Sequence, residues 1–149
     1  MGDINTSTYR EIIENSQDAI ILANSDGVIQ LWNLGAIKMF GYSSEEAVGQ
    51  TLDIIIPDRF RDSHWSGFKH TMATGSSKYE EDMLAVPGAK KDGTRISIEF
   101  TIVMLKDDKG IPIGICSIIR DVTQRRQQDK EMRDRISELE EKLKELASE

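Results

Sequence analysis

Along the chain the apolar positions switch repeatedly between the period of a helix and that of a strand. Tyr9, Ile12 and Ile13 form a short apolar face over Thr8 to Asn15, which predicts an entry helix. Asp18 to Ala23 is then a compact apolar run, Asn24-Ser25-Asp26-Gly27 carries turn chemistry, and Val28 to Trp32 returns as a strand, so a hairpin is expected. From Asn33 to Gly49 the pattern is helical in short pieces. Ala36, Ile37, Met39 and Phe40 are apolar, Gly41 stands where a helix C-cap belongs, and Ser43-Ser44-Glu45-Glu46 reads as a capping start. Pro57 opens a longer helix, Arg59 to Ala73, in which His64, Phe68 and Met72 recur every four residues and share a face. Thr74-Gly75-Ser76-Ser77 breaks it. Three strand-like runs follow, Tyr79 to Val86, Arg95 to Leu105 and Ile111 to Arg120, separated by Lys90-Lys91-Asp92-Gly93 and Asp107-Asp108-Lys109-Gly110. Ile96, Ile98, Phe100, Ile102 and Met104 alternate strictly, so one face of that strand should be buried.

After Val122 the chain becomes rich in long charged residues, and Met132, Ile136, Leu139, Leu143 and Leu146 recur in steps of four and three. That is the seam of a coiled coil, and a homodimer through the folded domain and this helix is expected. The preceding seam slots hold Arg125 and Asp129, which weakens its upstream part. A hairpin, short helices, a three-strand meander and an exit helix together predict an α+β fold. The sheet would be five-stranded and antiparallel, with helices on one side and a C-terminal coiled-coil helix. The expected division is a flexible terminus over residues 1–7, one folded domain over 8–123 and the coiled-coil helix over 124–149.

Composition narrows the partners. Against 19 basic residues stand 26 acidic ones, a formal charge of -7, which argues against nucleic acid or an anionic membrane surface. A single cysteine, Cys116, excludes an intrachain disulfide framework, and no window has the length of a membrane span, so a cytoplasmic protein without membrane insertion is expected.

The segments AIILANSDGVIQLWNLGAIKMFGYSSEEAVGQ, KKDGTRISIEFTIV and GICSIIRDVTQRR resemble, in order and spacing, the PAS family of sensory modules, over about Thr8 to Arg126. The resemblance implies that the helical side and the inner sheet face enclose a cofactor or metabolite. Within that family, RFRDSHWSGF is similar to the helix on which the haem-binding, oxygen-sensing kinases of the FixL type carry their proximal histidine, and His64 falls at that position. What this resemblance implies is haem b held by His64 as axial ligand. Phe68 lies on the same helical face, and Leu84, Phe100 and Ile102 form the opposite wall. His70 and Lys78 take the positions of propionate-binding partners. Leu84 stands where the oxygen sensors place an arginine. The gas ligand implied is therefore carbon monoxide or nitric oxide before oxygen, or a redox centre with Met83 or Met104 as sixth ligand.

Other chemistry is thinner. Trp32 and Asn33 are placed to line a flavin ring site, the alternative cofactor, although Trp32 equally suits core packing. The nucleophilic cysteine of flavin photosensors is missing from the corresponding helix. No phosphate-cradling loop is present, and Ser63 next to His64 in sequence is the wrong arrangement for a base acting on a nucleophile, so no enzymatic activity is expected. The functional expectation is a sensor that binds a small ligand and relays its state through Arg120, Asp121 and Thr123 to a dimeric exit helix. The alternative is a dimerisation scaffold whose pocket is filled by its own side chains.

Overall fold

The computed structural model describes residues 4–77 and 84–149, with the Leu84 side chain outside the description. In chain order the elements are α1 (Thr6–Asn15), β1 (Ala19–Asn24), β2 (Ile29–Trp32), α2 (Leu34–Phe40), α3 (Ser44–Ala47), 3-10 turns at Leu52–Ile55 and Asp58–Phe60, α4 (Arg61–Thr74), β3 (Leu84–Ala89), β4 (Arg95–Lys106), β5 (Pro112–Asp121) and α5 (Thr123–Ala147). The strands form one antiparallel sheet in the order β2-β1-β5-β4-β3, so the first and last strands meet in the middle. With helices packed on its inner face, this is the expected α+β architecture.

Local chemistry explains the boundaries. Helix α1 starts inside the stretch expected to be a flexible tail, because the Asn5 side chain accepts a hydrogen bond from the Thr8 N–H at 3.0 Å and caps it. Ser43 and Glu46 close a reciprocal capping box around α3. Helix α4 begins two residues later than its pattern suggested, after a 3-10 turn that follows Pro57. Strand β3 was expected to stop at Val86, before Pro87; instead it runs through Pro87 to Ala89. The proline is tolerated because β3 is an edge strand. The upstream part of that expected strand, 79–83, lies outside the described residues.

The core lies between the inner sheet face and the helices. Ile21, Ile96, Ile98, Ile102, Ile115 and Ile119 of the sheet close with Ala36, Phe40, Leu52, Ile55 and Phe68 into one cluster. The alternation in β4 is expressed as predicted, with Ile96, Ile98 and Ile102 buried and Phe100 and Met104 half-buried against the same cluster. Cross-strand register places Phe100 opposite Ile119 and Leu84, Ile102 opposite Ser117 and Met104 opposite Ile115. Cys116 points to the other face, beside Leu22 and Val103, where burial pushes its thiol pKa up.

Candidate functional site

Helix α4 is anchored at its first turns. Arg61 donates from Nε to the Ile56 carbonyl and from Nη2 to the Asp53 carbonyl, both at 3.1 Å, and pairs with Asp58. Trp65 donates from Nε1 to the Asp53 carboxylate at 2.7 Å while its ring lies over the β1–β2 turn. A Cβ on Gly27, whose φ is +78°, would sit 2.2 Å from the Trp65 ring. The glycine thus serves both the left-handed turn and the indole stacked on it.

That anchoring fixes His64. Its ring stands edge-on to Trp65 at 4.8 Å between centroids and 6.0 Å from Phe68. Nδ1 is buried with no hydrogen-bond partner. Burial in these apolar surroundings lowers the His64 pKa below its ordinary value, with the Asp53 charge opposing the shift, so the imidazole is held neutral. A buried ring nitrogen without a partner costs free energy unless something binds it.

The structure brings the other expected site residues together only in part. Phe68 is buried in the core with Ile102, and Phe100 and Met104 pack against that cluster. Leu84 sits opposite Phe100 at the start of β3. His70 is exposed, about one and two-thirds turns beyond His64 on α4 and off the face that carries it. Lys78 and Met83 lie outside the described residues. Among the described residues no group of three or more His, Cys, Asp and Glu side chains converges as a metal site. A lone axial ligand on a planar cofactor requires no such group.

Trp32 belongs to the other end of the core. It packs on Phe40 at 5.7 Å and Tyr42 at 6.2 Å, and its Nε1 donates to the Tyr42 carbonyl at 3.0 Å. Asn33 beside it is buried and fully engaged. Its Oδ1 accepts from the Ile20 and Ala36 N–H groups at 2.8 and 3.0 Å, and its Nδ2 faces the carbonyls of Ile13, Ser16 and Asp18 at 2.9–3.3 Å. Neither residue has a polar atom left for a flavin ring, and in this structure both are core. Sequence reasoning missed this hub, and it missed the Trp65–Asp53–Gly27 contact. The position of Asn33 directly before a helix was the available signal for the first.

Against haem, the donor set fits: a neutral histidine with a buried free nitrogen stands beside the aromatic rings of Trp65 and Phe68. The space is another matter, because Phe68 closes α4 onto the same cluster as Ile102 and Ile115. A flat macrocycle would need room between α4 and the sheet that these side chains now fill.

At the domain exit, Asp121 accepts from the Thr123 N–H and hydroxyl at 2.9 and 2.6 Å, while Thr123 Oγ1 accepts from Ser97 N–H at 2.9 Å. The Val122 N–H donates to the Ser97 carbonyl at 2.8 Å. Arg120 pairs with Asp18 at 3.2 Å, and Arg125 pairs with Glu99 on β4. Arg125, read from the heptad pattern as a seam slot, is therefore committed to its own sheet. Met132, Ile136, Leu139, Leu143 and Leu146 are all exposed on α5. Among the described residues no helix is long and apolar enough to cross a membrane.

Comparison with known proteins gives the PAS fold over residues 7–122. The chain is 29% identical over 130 residues to the sensor protein FixL of Bradyrhizobium diazoefficiens, covering 87% of this chain and 25% of that protein. It is 28% identical over 90 residues to the oxygen sensor protein DosP of Escherichia coli, covering 60% of this chain and 11% of that protein. The chain thus spans a quarter or less of these curated relatives. Among solved structures, a PAS domain from Colwellia psychrerythraea superposes with a TM-score of 0.69 at 23% identity, over 79% of this chain and 97% of that one. An RNA-binding light-oxygen-voltage receptor reaches 0.71 at 18% identity, over 92% and 40%. At these identities the superpositions speak for the fold.

Proposed function

The chain belongs to the PAS family, the kind of domain that signal-transduction proteins carry, and on that premise we propose that it is a non-catalytic sensor of a small ligand, with haem b as cofactor and His64 as axial ligand. The observation that carries the reading is the buried Nδ1 of His64 without a partner, on an anchored helix beside Trp65 and Phe68. The similarity to an oxygen sensor protein supports it. When bound, haem supplies an iron centre that takes a diatomic gas. The residues of this chain do the rest. Trp65 and Asp53 hold the α4 backbone, Phe68, Phe100 and Ile102 exclude water, and burial keeps the imidazole neutral, the form that ligates metal. The state of the pocket then passes along β4 and β5 to Ser97, Asp121 and Thr123, at the base of α5.

The test is an absorption spectrum during haem addition to the protein and to His64→Ala. The expected result is a Soret band saturating at one haem per chain, lost or shifted in the variant. A spectrum of free haem in both proteins overturns the reading.

A specific observation favours a second reading, a scaffold with a self-filled pocket: Phe68 and the sheet residues already close on each other. It predicts a colourless protein whose exit helix responds to no ligand.

A further inference from the structure

Helix α4 is held in two different ways along its length. Among the described residues, the side-chain hydrogen bonds that tie it to another segment all come from Arg61 and Trp65, in its first turns, and end on Asp53 and Ile56. Past Ser66 it is held by packing. Phe68 is buried in the cluster with Ile102 and Ile115, Thr71 is buried, and Met72 packs against the same cluster. At the far end a Cβ on Gly75 would lie 3.6 Å from the Pro112 ring and 3.7 Å from Lys106 Nζ, so the C-cap rests against the β4–β5 hairpin.

Gly67 stands at the boundary between the two halves. It is exposed, its φ is not left-handed, and a Cβ there would have nothing within 4 Å. No turn, close approach or packing contact of the closed helix therefore asks for glycine. Inside a 14-residue helix it instead costs stability relative to alanine. What it adds is backbone freedom at one point, directly before Phe68, the side chain that closes α4 onto the sheet.

We infer that α4 is a lid in two parts, hinged at Gly67. Residues 61–66, with His64, stay clamped to the Asp53 segment and the β1–β2 turn. Residues 68–74 swing off the sheet, withdraw Phe68 and Met72 from the core and open a slot for a flat apolar ligand beside His64. In a helix the N–H groups of residues 68–71 bond back to the carbonyls of 64–67, so the hinge breaks these and spares the bonds made by Trp65 and Ser66. Only Phe68 and Thr71 of the swinging part are buried, which makes this opening smaller than global unfolding. The lid deepens the ligand reading above and is tested apart from it, because hydrogen exchange of the apoprotein reads the hinge whereas haem titration reads His64.

The experiment is native-state hydrogen exchange of the full chain and of Gly67→Ala over a urea series. In the native protein the amides of residues 68–71 should exchange by a local opening that responds little to urea, while those of Trp65 and Ser66 follow the global transition. In Gly67→Ala the exchange of 68–71 should slow about fivefold, since alanine favours the unbroken helix. A helix in which 65–66 and 68–71 open as one unit would overturn the proposal, as would exchange of 68–71 unchanged by the alanine. Rapid mixing with haemin gives a second readout. Gly67→Ala should take up haem about fivefold more slowly to the same final absorbance, and an unchanged uptake rate would overturn the lid. A protein that binds no haem sinks the cofactor reading alone, and the exchange boundary at Gly67 still decides the hinge.

Discussion

The two ends of the core treat their buried polar groups in opposite ways. At the α2 end, Asn33 is buried and every polar atom of its side chain is bonded, to backbone from α1, β1 and α2. At the α4 end, His64 is only half-buried, yet its Nδ1 has no partner. A satisfied buried amide fixes one arrangement of the chain around it. An unsatisfied imidazole stores a bond not yet made. The first is a lock, and the second is where a ligand has something to gain.

The contrast can be broken at several points. The largest effect is expected from Gly35→Ala, at the start of α2, because its Cβ would lie 2.2 Å from the Asp18 carbonyl oxygen. The backbone cannot yield there as a side chain would, so a loss of about 3 kcal/mol or more is expected, read as a lowered urea midpoint. Next comes Asn33→Ala, which strands buried backbone groups of three segments. About 3 kcal/mol should be lost, with increased hydrogen exchange at Ile20 and Ala36. Trp65→Phe removes the bond to Asp53 together with the outer edge of the indole that lies over Gly27. About 1 kcal/mol is expected, read by the same unfolding experiment.

The smallest change has the opposite sign. His64→Phe replaces a nitrogen without a partner by carbon and should leave the apoprotein equally stable or up to about 1 kcal/mol more stable, whereas Asn33→Ala cannot. The pH dependence sharpens this. Because the folded pKa of His64 lies below its ordinary 6.5, the unfolded chain binds more protons as pH falls through that value. The His64 contribution to stability should be whole above about pH 6.5 and decline as pH drops toward the lowered folded pKa. Comparing urea midpoints of the native protein and His64→Phe between pH 7.5 and 5 isolates the term. Equal slopes would mean that the imidazole is as solvated folded as unfolded.

Much of the fold was legible in the sequence because it rests on local signals. The alternation of Ile96, Ile98 and Ile102, the Asn24–Gly27 turn and the Ser43–Glu46 box each act within a few residues. What was illegible depends on residues distant in the chain. Asn33 finds partners as far away as Ile13, and nothing in the local pattern distinguishes a helix cap from a hub. Trp65 is defined by Gly27 and Asp53. Arg125 fits a heptad slot by spacing alone, but spacing does not show which neighbour reaches it first, and that neighbour is Glu99. The edge position of β3, which lets a strand continue through Pro87, is likewise a fact of topology. For the site, the helical spacing of His64, Phe68 and Met72 announced a shared face. Whether Trp32 belonged to a pocket or to the core was decided by Phe40 and Tyr42, which the motif alone did not place.

Strand β5, central in the sheet, runs into α5 with only Val122 between them. That makes the exit helix a lever whose short arm is bolted at Ser97 and Thr123. At 1.5 Å per residue its long arm reaches roughly 37 Å, so a tilt of about 5° at the bolt swings the tip by about 3 Å. Displacements too small to disturb packing at the sheet thus become, at Leu146, comparable to half the spacing between neighbouring seam layers.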